Sequence, residues 1–220
     1  MREPTKETPF GDEDRRAMRV EGTYPAHIIG MSSYEMKDGS GNEVFNLTVR
    51  VADEAKDIKV PKSIYDAEAE RKRAPVLDDD GSQVFVSAEF MAGQELEDNG
   101  TWFYEDAKLD WQTNEKYADR MNNLGVEFPE KEFGKGKNKV SKPLLQKVDA
   151  DDVLGLPCMV EYGWWKYPKK EKNEETGDWE KVKDEDGKQV YGEALKVLDY
   201  LPWPDGEKIK LEDGDEPPPF

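Results

Sequence analysis

Apolar and polar residues alternate most cleanly near the start of the chain, where Phe45, Leu47, Val49 and Val51 fall on one side and Asn46, Thr48 and Arg50 on the other. Period two with one polar side predicts a half-buried antiparallel strand. Gly22 opens an earlier strand that runs through Met31 toward Met36, with Pro25 suited to an edge or to a strand's first residues. The turn cluster Asp38-Gly39-Ser40-Gly41-Asn42 between them makes the two a hairpin. Ile58-Lys59-Val60 predicts a shorter strand, and Asp78-Asp79-Asp80-Gly81 a turn. Val84, Val86, Ala88 and Phe90 alternate again. Asp98-Asn99-Gly100 has the composition of a tight hairpin turn, which predicts an extra hairpin over about Val84 to Trp111. Tyr117, Met121 and Leu124 share one face at helical spacing and Gly125 follows them, so Asn114–Leu124 is the best helix candidate. Residues 131–147 read as a flexible basic loop.

The later part of the chain centres on Val148–Trp203. Asp149 is placed to cap a helical turn, Val148 and Val153 to staple it, and Gly155 to end it. A strand over Leu156–Tyr162 leads into a loop of aromatics and lysines, Gly163 to Lys170. A polar arm follows, then a last strand, Val190–Leu201, ending in Pro202-Trp203-Pro204. No internal repeat of useful length is evident. Several antiparallel strands, one helix and two more strands is the order of an OB-fold, whose helix lies between the third and fourth strands. The expected class is therefore mainly β: an OB-like five-stranded antiparallel Greek-key barrel with one helix, an extra β-hairpin and extended arms. A generic antiparallel α+β domain is the alternative. The divisions are a flexible N-terminal arm (1–21), the barrel domain (22–204) and an acidic tail (205–220).

Composition narrows the function. With 35% hydrophobic and 37% charged residues, the core of this 220-residue chain is modest and much of it is solvated. A formal charge of −18 argues against a uniformly basic surface that coats duplex DNA, but leaves room for a local basic groove. The single cysteine, Cys158, excludes an internal disulfide framework and fits a reducing compartment. No apolar run approaches the roughly 18 residues of a membrane span and the first residues lack a signal-peptide core, so a cytoplasmic protein without a membrane partner is expected.

Catalysis finds little support. His27 is the only histidine, the ligands of a zinc site are missing, and no phosphate-cradling glycine fingerprint occurs. Asp78–Asp80 and Asp184–Asp186 offer carboxylates for a magnesium-dependent nuclease, but turn sequences of this kind usually leave acids solvated. No catalytic residue, metal or cofactor is expected. The basic-aromatic elements point elsewhere. Trp164, Trp165, Lys166, Tyr167, Lys169 and Lys170 crowd one short stretch, and neighbouring tryptophans on a strand point to opposite faces. One then packs and the other is free to stack on a base while the lysines follow phosphates. Lys135, Lys137, Lys139 and Lys142 form a second cluster, and Arg71-Lys72-Arg73 a weaker third. The competing reading makes both tryptophans structural and the lysines a solvated loop tip.

The last residues add a docking signal. Acids without a base, then prolines, then a terminal phenylalanine suit a peptide held by its end, its ring in a pocket and its acids on a basic rim. Asp213, Asp215, Glu216, Pro219 and Phe220 resemble the acidic, Pro-Phe-ended tip of bacterial single-stranded DNA-binding proteins and the tail of the T7-type phage protein; Gly214 and the triple proline depart from it. Glu21-Gly22-Thr23-Tyr24-Pro25-Ala26 and Asp152-Val153-Leu154-Gly155-Leu156-Pro157-Cys158-Met159-Val160 are similar to segments of phage-encoded proteins found among recombination and replication genes. The resemblance implies an OB-fold single-stranded DNA-binding protein, working in the cytoplasm of an infected cell, binding DNA by stacking and lysine contacts and recruiting replication or recombination proteins through its tail. An acidic adaptor or DNA mimic that never touches DNA is the rival expectation.

Overall fold

The computed structural model describes residues 19–37, 39–66, 68–69, 71, 73–105, 112–133, 139–173, 177 and 179–211. Two long strands, β1 (Gly22–Glu35) and β2 (Glu43–Val51), form the expected hairpin, and the alternating Phe45, Leu47, Val49 and Val51 are buried. The chain then leaves the sheet as an arm of four short strands. These are β3 (Lys59–Pro61), β4 (Ser63–Tyr65), β5 (Arg73–Pro75) and β6 (Phe85–Ser87), with β3 paired to β6 and β4 to β5. It returns through β7 (Glu95–Glu97) and β8 (Thr101–Phe103), then helix α1 (Glu115–Asn123) and the strands β9 (Glu130–Phe133) and β10 (Val140–Pro143). The short helix α2 (Ala150–Val153) leads into β11 (Pro157–Pro168). A second arm carries β12 (Lys170–Lys172) and β13 (Trp179–Lys181), and β14 (Tyr191–Leu201) closes the fold.

The main sheet runs β14-β11-β1-β2-β7, and β8 also pairs with β2. A parallel bridge between Asp98 and Val197 brings the last strand back against the third. The class is mainly β: a nearly closed, OB-like barrel of five strands, with α1 between the third and fourth. The core joins the inward residues of β1, β2, β11 and β14 to Tyr117, Ala118 and Met121 of α1. Tyr117 packs its ring on Phe45, Phe103 and Phe128, donates to the Gln146 carbonyl at 2.7 Å and accepts from Val148 N at 3.0 Å, so α1 is pinned to the segment that leads into α2. At α2, Asp149 N donates to the Asp152 carboxylate and Val148 and Val153 are buried, as the capping pattern requires. The chain still packs on the barrel at Ile209, whose N–H donates to the Gly155 carbonyl.

Four sequence expectations are corrected. Asp98-Asn99-Gly100 is not a hairpin turn, and among the described residues no hairpin spans the Val84 to Trp111 stretch. Instead β6 pairs with β3, while β7 and β8 lie end to end along β2 as one interrupted strand. The interruption arises because Asp98 turns inward and accepts from Leu47 N and Gly100 N, with Gly100 at φ +81°. Residues 131–147 contain a paired hairpin, β9 with β10, rather than a loop throughout. The aromatic stretch after Tyr162 is not a loop either, because β11 continues to Pro168 with Trp164 opposite Leu195 and Trp165 opposite Ala194.

The fourth correction is an internal repeat. In the first arm Lys62 N donates to Val84 O, Val84 N to Val76 O and Val76 N to Lys62 O, a closed triangle of backbone bonds. In the second, Lys169, Val190 and Val182 form the same triangle. Gln83 Nε2 lies within 2.9–3.1 Å of all three carbonyls in the first, and Gln189 Nε2 within 2.8–3.1 Å in the second. Each triangle is followed by the same acidic turn, in which Asp78 or Asp184 accepts from two backbone N–H groups. Val76-Leu77-Asp78-Asp79-Asp80-Gly81-Ser82-Gln83-Val84-Phe85 matches Val182-Lys183-Asp184-Glu185-Asp186-Gly187-Lys188-Gln189-Val190-Tyr191, and Lys59-Val60-Pro61-Lys62 matches Lys166-Tyr167-Pro168-Lys169. Unrelated branch hairpins, residues 63–75 and 170–181, separate the two parts of each copy.

The barrel seam rests on one buried ion pair. Arg120 Nη1 meets Asp98 Oδ2 at 2.9 Å, the side chains being 8% and 0% exposed. Arg120 also donates to Thr101 Oγ1 and, at 3.1 Å, to the Leu198 carbonyl, and the Tyr200 hydroxyl reaches Asp98 Oδ2 at 3.3 Å. Burial pushes the Asp98 carboxyl up, against the pull of Arg120, Gly100, Leu47 and Tyr200. Breaking one half of such a pair strands the other charge, at a cost of about 3–5 kcal/mol. Arg120→Met should therefore lower the urea-derived unfolding free energy by roughly that amount. In the variant the folded Asp98 binds its proton far more readily than the unfolded chain does. The deficit should accordingly shrink as pH falls through the folded pKa and be fully present above it. A deficit independent of pH would exclude Asp98 as the stranded charge.

Candidate nucleic-acid interface

The two arms stand beside each other because β11 and β14 continue beyond the barrel. On one face of β11 lie Trp164 and Lys166, and on the other Trp165 and Tyr167, as strand alternation requires. Neither tryptophan enters the core; both are half-buried. Tyr167 lies across Gly192, where a Cβ would come within 2.6 Å of its ring, and it stacks on Trp165 with centroids 5.4 Å apart and planes 27° apart. Glycine and Ala194 on β14 thus leave a shelf on which two aromatic rings lie together.

The opposite face meets the first arm. The Arg71 guanidinium sits 5.0 Å above the Trp164 ring and bonds Glu193 at 3.0 Å, while Lys166 reaches the other oxygen of the same carboxylate at 3.4 Å. Arg71 adopts φ 56°, the left-handed region that a non-glycine residue enters only at a cost. Arg71 and then Lys166 hold the Glu193 carboxyl below its ordinary range. Beside this contact a cleft of about 130 Å³ is lined by Trp164, Leu195, Arg19, Lys62, Arg73, Pro61 and Gln83, with Glu21 its one acid. The hydroxyl of Tyr162 lies within electrostatic reach of Arg19 and Arg73, which pull its pKa down while burial raises it. In a chain of charge −18, five cations from three distant segments gather around one indole.

The other expected residues lie apart. Lys169 and Lys170 are exposed at the base of the second arm. Lys139 pairs with Glu132 on the β9–β10 hairpin, and Lys142 lies on β10 with its side chain outside the described set. Lys135 and Lys137 fall outside the described residues, as do Asp213, Asp215, Glu216, Pro219 and Phe220. None of the described residues of that hairpin lines the cleft. Sequence reasoning underrated Arg71 and Arg73 and missed Arg19 and Lys62. The signal available was the match of Lys59-Val60-Pro61-Lys62 to Lys166-Tyr167-Pro168-Lys169.

A second aromatic surface was also missed. Tyr34 pairs with Val44 and Val44 with Trp102, which puts the three side chains in one row across β1, β2 and β8. Tyr34 and Trp102 are 52% and 41% exposed, and Trp102 stacks on Tyr104 at 5.9 Å. Glu35 and Glu43 alternate to the other face of the sheet, in register with buried Phe103, where Glu43 hydrogen-bonds Lys147 and raises its pKa. The surface of Tyr34 and Trp102 is aromatic and exposed.

Burial pushes the Cys158 thiol up to about 12, so it is a neutral core group at physiological pH. His27 bonds the Glu207 carbonyl and packs against Trp203. Among the described residues no group of three or more His, Cys, Asp or Glu is placed to hold a metal ion, and no helix is long and apolar enough to cross a membrane. Comparison with protein-family models, curated proteins and solved structures finds no match.

Glu193 is the anion that holds two of the groove's cations. Glu193→Gln should release Arg71 and Lys166 and raise affinity for oligothymidylate about 2- to 5-fold at low salt, in line with the modest worth of exposed pairs. Weaker binding in a filter or anisotropy titration would show that the carboxylate orders the groove rather than competing for it.

Proposed function

We propose that the protein binds single-stranded DNA across the exposed end of β11, stacking bases on Trp164 in the groove between its arms and on Trp165 and Tyr167 on the strand's other face, and meeting phosphates with Arg19, Lys62, Arg71, Arg73 and Lys166. The observation that carries the reading is the concentration of these cations around Trp164 in a strongly acidic chain. Aromatic platforms beside cations take single strands without sequence preference, because every base has a π-face and every nucleotide a phosphate. OB barrels bind oligonucleotides on the face of their second and third strands and with the loops after the first and fourth. The second arm is the loop after the fourth strand here.

The protein's role is to cover transient single strands during phage replication or recombination, in the cytoplasm of the infected cell. The chain catalyses no step of its own and needs no cofactor. Its acidic Asp213–Phe220 end recruits a replication or recombination protein and competes with DNA for the basic groove. The exposed aromatic row of Tyr34, Trp102 and Tyr104 favours a second reading, a protein-docking surface on an adaptor that need not touch DNA.

Titration with oligothymidylate, followed by tryptophan fluorescence, separates the two. Stacking should quench emission, and affinity should fall with salt at a slope of roughly −0.7 per phosphate neutralised. Trp165→Ala should cost about 1–3 kcal/mol of binding with little loss of stability, since its ring lies outside the core. No quenching and no binding at low salt would remove the DNA reading and leave the adaptor.

A further inference from the structure

Each copy of the repeated junction displays the same pair of side chains on its outward face. In the first, Phe85 lies across the ladder from Pro61, and Lys59 is the diagonal neighbour on that face. In the second, Tyr191 lies across from Pro168, with Lys166 as the diagonal neighbour. Phe85 is 57% exposed and Tyr191 58%, although the intervening Val60 and Val86 of the first copy are turned to the barrel. Large rings left this open contribute little to the core, and each has a proline beside it and an ammonium within reach of the same face. The copies differ next to the ring, where Ser87 in the first corresponds to Glu193 in the second. Pro61 also lines the cleft that Trp164 floors, so the first ring lies at one margin of the groove and the second continues from Lys166.

We propose that the duplicated junction is a nucleic-acid contact unit used twice, in which Phe85 and Tyr191 each stack on a base and Lys59 and Lys166 meet the adjoining phosphates. The proposal rests on the single-stranded DNA reading and adds to it two stacking residues, at equivalent positions, outside the Trp164–Tyr167 stretch. Base stacking tolerates any sequence, whereas the ring must be aromatic and exposed, and both copies satisfy that. The backbone triangle and its glutamine hold each ring's strand in place, so a stacked base meets a fixed surface.

The test uses the full chain, fluorescein-labelled oligothymidylate and anisotropy at low salt. Phe85→Ala and Tyr191→Ala should each weaken binding at least about fivefold, and Phe85→Tyr and Tyr191→Phe should bind like the parent, because the stacking ring is retained. Melting temperatures should barely move in any of the four. If both alanine variants bind like the parent while Trp165→Ala binds weakly, DNA binding stands and the repeated unit is only architectural. If Phe85→Leu matches the parent, the contribution is packing rather than stacking, and the proposal fails. If the parent itself does not bind the oligomer, the DNA reading falls and takes this proposal with it.

Discussion

The ion pair of Asp98 with Arg120 is what the rest of the structure depends on. The third barrel strand is too interrupted to close the sheet by a continuous ladder: β7 and β8 pair with different parts of β2, and the gap between them holds Asp98. That one carboxylate accepts from β2 at Leu47, from the gap at Gly100, from α1 at Arg120 and from β14 at Tyr200. Four elements that follow one another at long sequence intervals are thus fixed to a single buried group. The price of burying it is offset only while every partner is present, since a half-satisfied buried charge is worse than none. Because β14 is seated by this network, so is its extension beyond the barrel, and with it the position of the second arm.

The arms solve a different problem. Each is too thin to own a core, so its strands are tied at the base by three backbone bonds in a ring and one glutamine amide across all three carbonyls. The repeat gives two arms tied in the same way at their bases. Cations that are scattered over Arg19, Lys62, Arg71, Arg73 and Lys166 in sequence meet at the Trp164 ring between them. A net charge of −18 therefore says little about local chemistry. Acids outnumber bases along the chain, yet five of the bases converge here.

Much of the barrel was legible because period-two alternation and a helical face are local signals: β1, β2, α1, the capped turn at Asp149 and β14 are where those patterns put them. The misreadings share one cause. Asp98-Asn99-Gly100 has turn composition, but the Asp98 carboxylate is held by α1 and β2, a contact that local sequence cannot announce. Gly163–Lys170 is polar and aromatic enough to look like a loop, yet its pairing with β14 carries it on as strand. Trp164 and Trp165 lie on opposite faces as strand alternation requires, but neither packs in the barrel as one of them was expected to. That Trp164 would meet Arg71 rather than the core follows from the fold of the first arm. The repeat stayed hidden because branch hairpins of unrelated sequence split each copy, so that only the three-way backbone bonding makes the two visible as one device.

The central claim is that a single strand crosses the exposed end of β11, from the groove between the arms to the Trp165–Tyr167 shelf. Photocrosslinking the full chain to an oligothymidylate carrying 5-iododeoxyuridine, with the adducts mapped by peptide mass spectrometry, tests it directly, since this base couples to the aromatic ring it stacks upon. The account predicts adducts on Trp164, Trp165 or Tyr167, lost in excess unlabelled oligomer and at high salt. Adducts confined to Tyr34, Trp102 and Tyr104 on the barrel's other aromatic surface would contradict it.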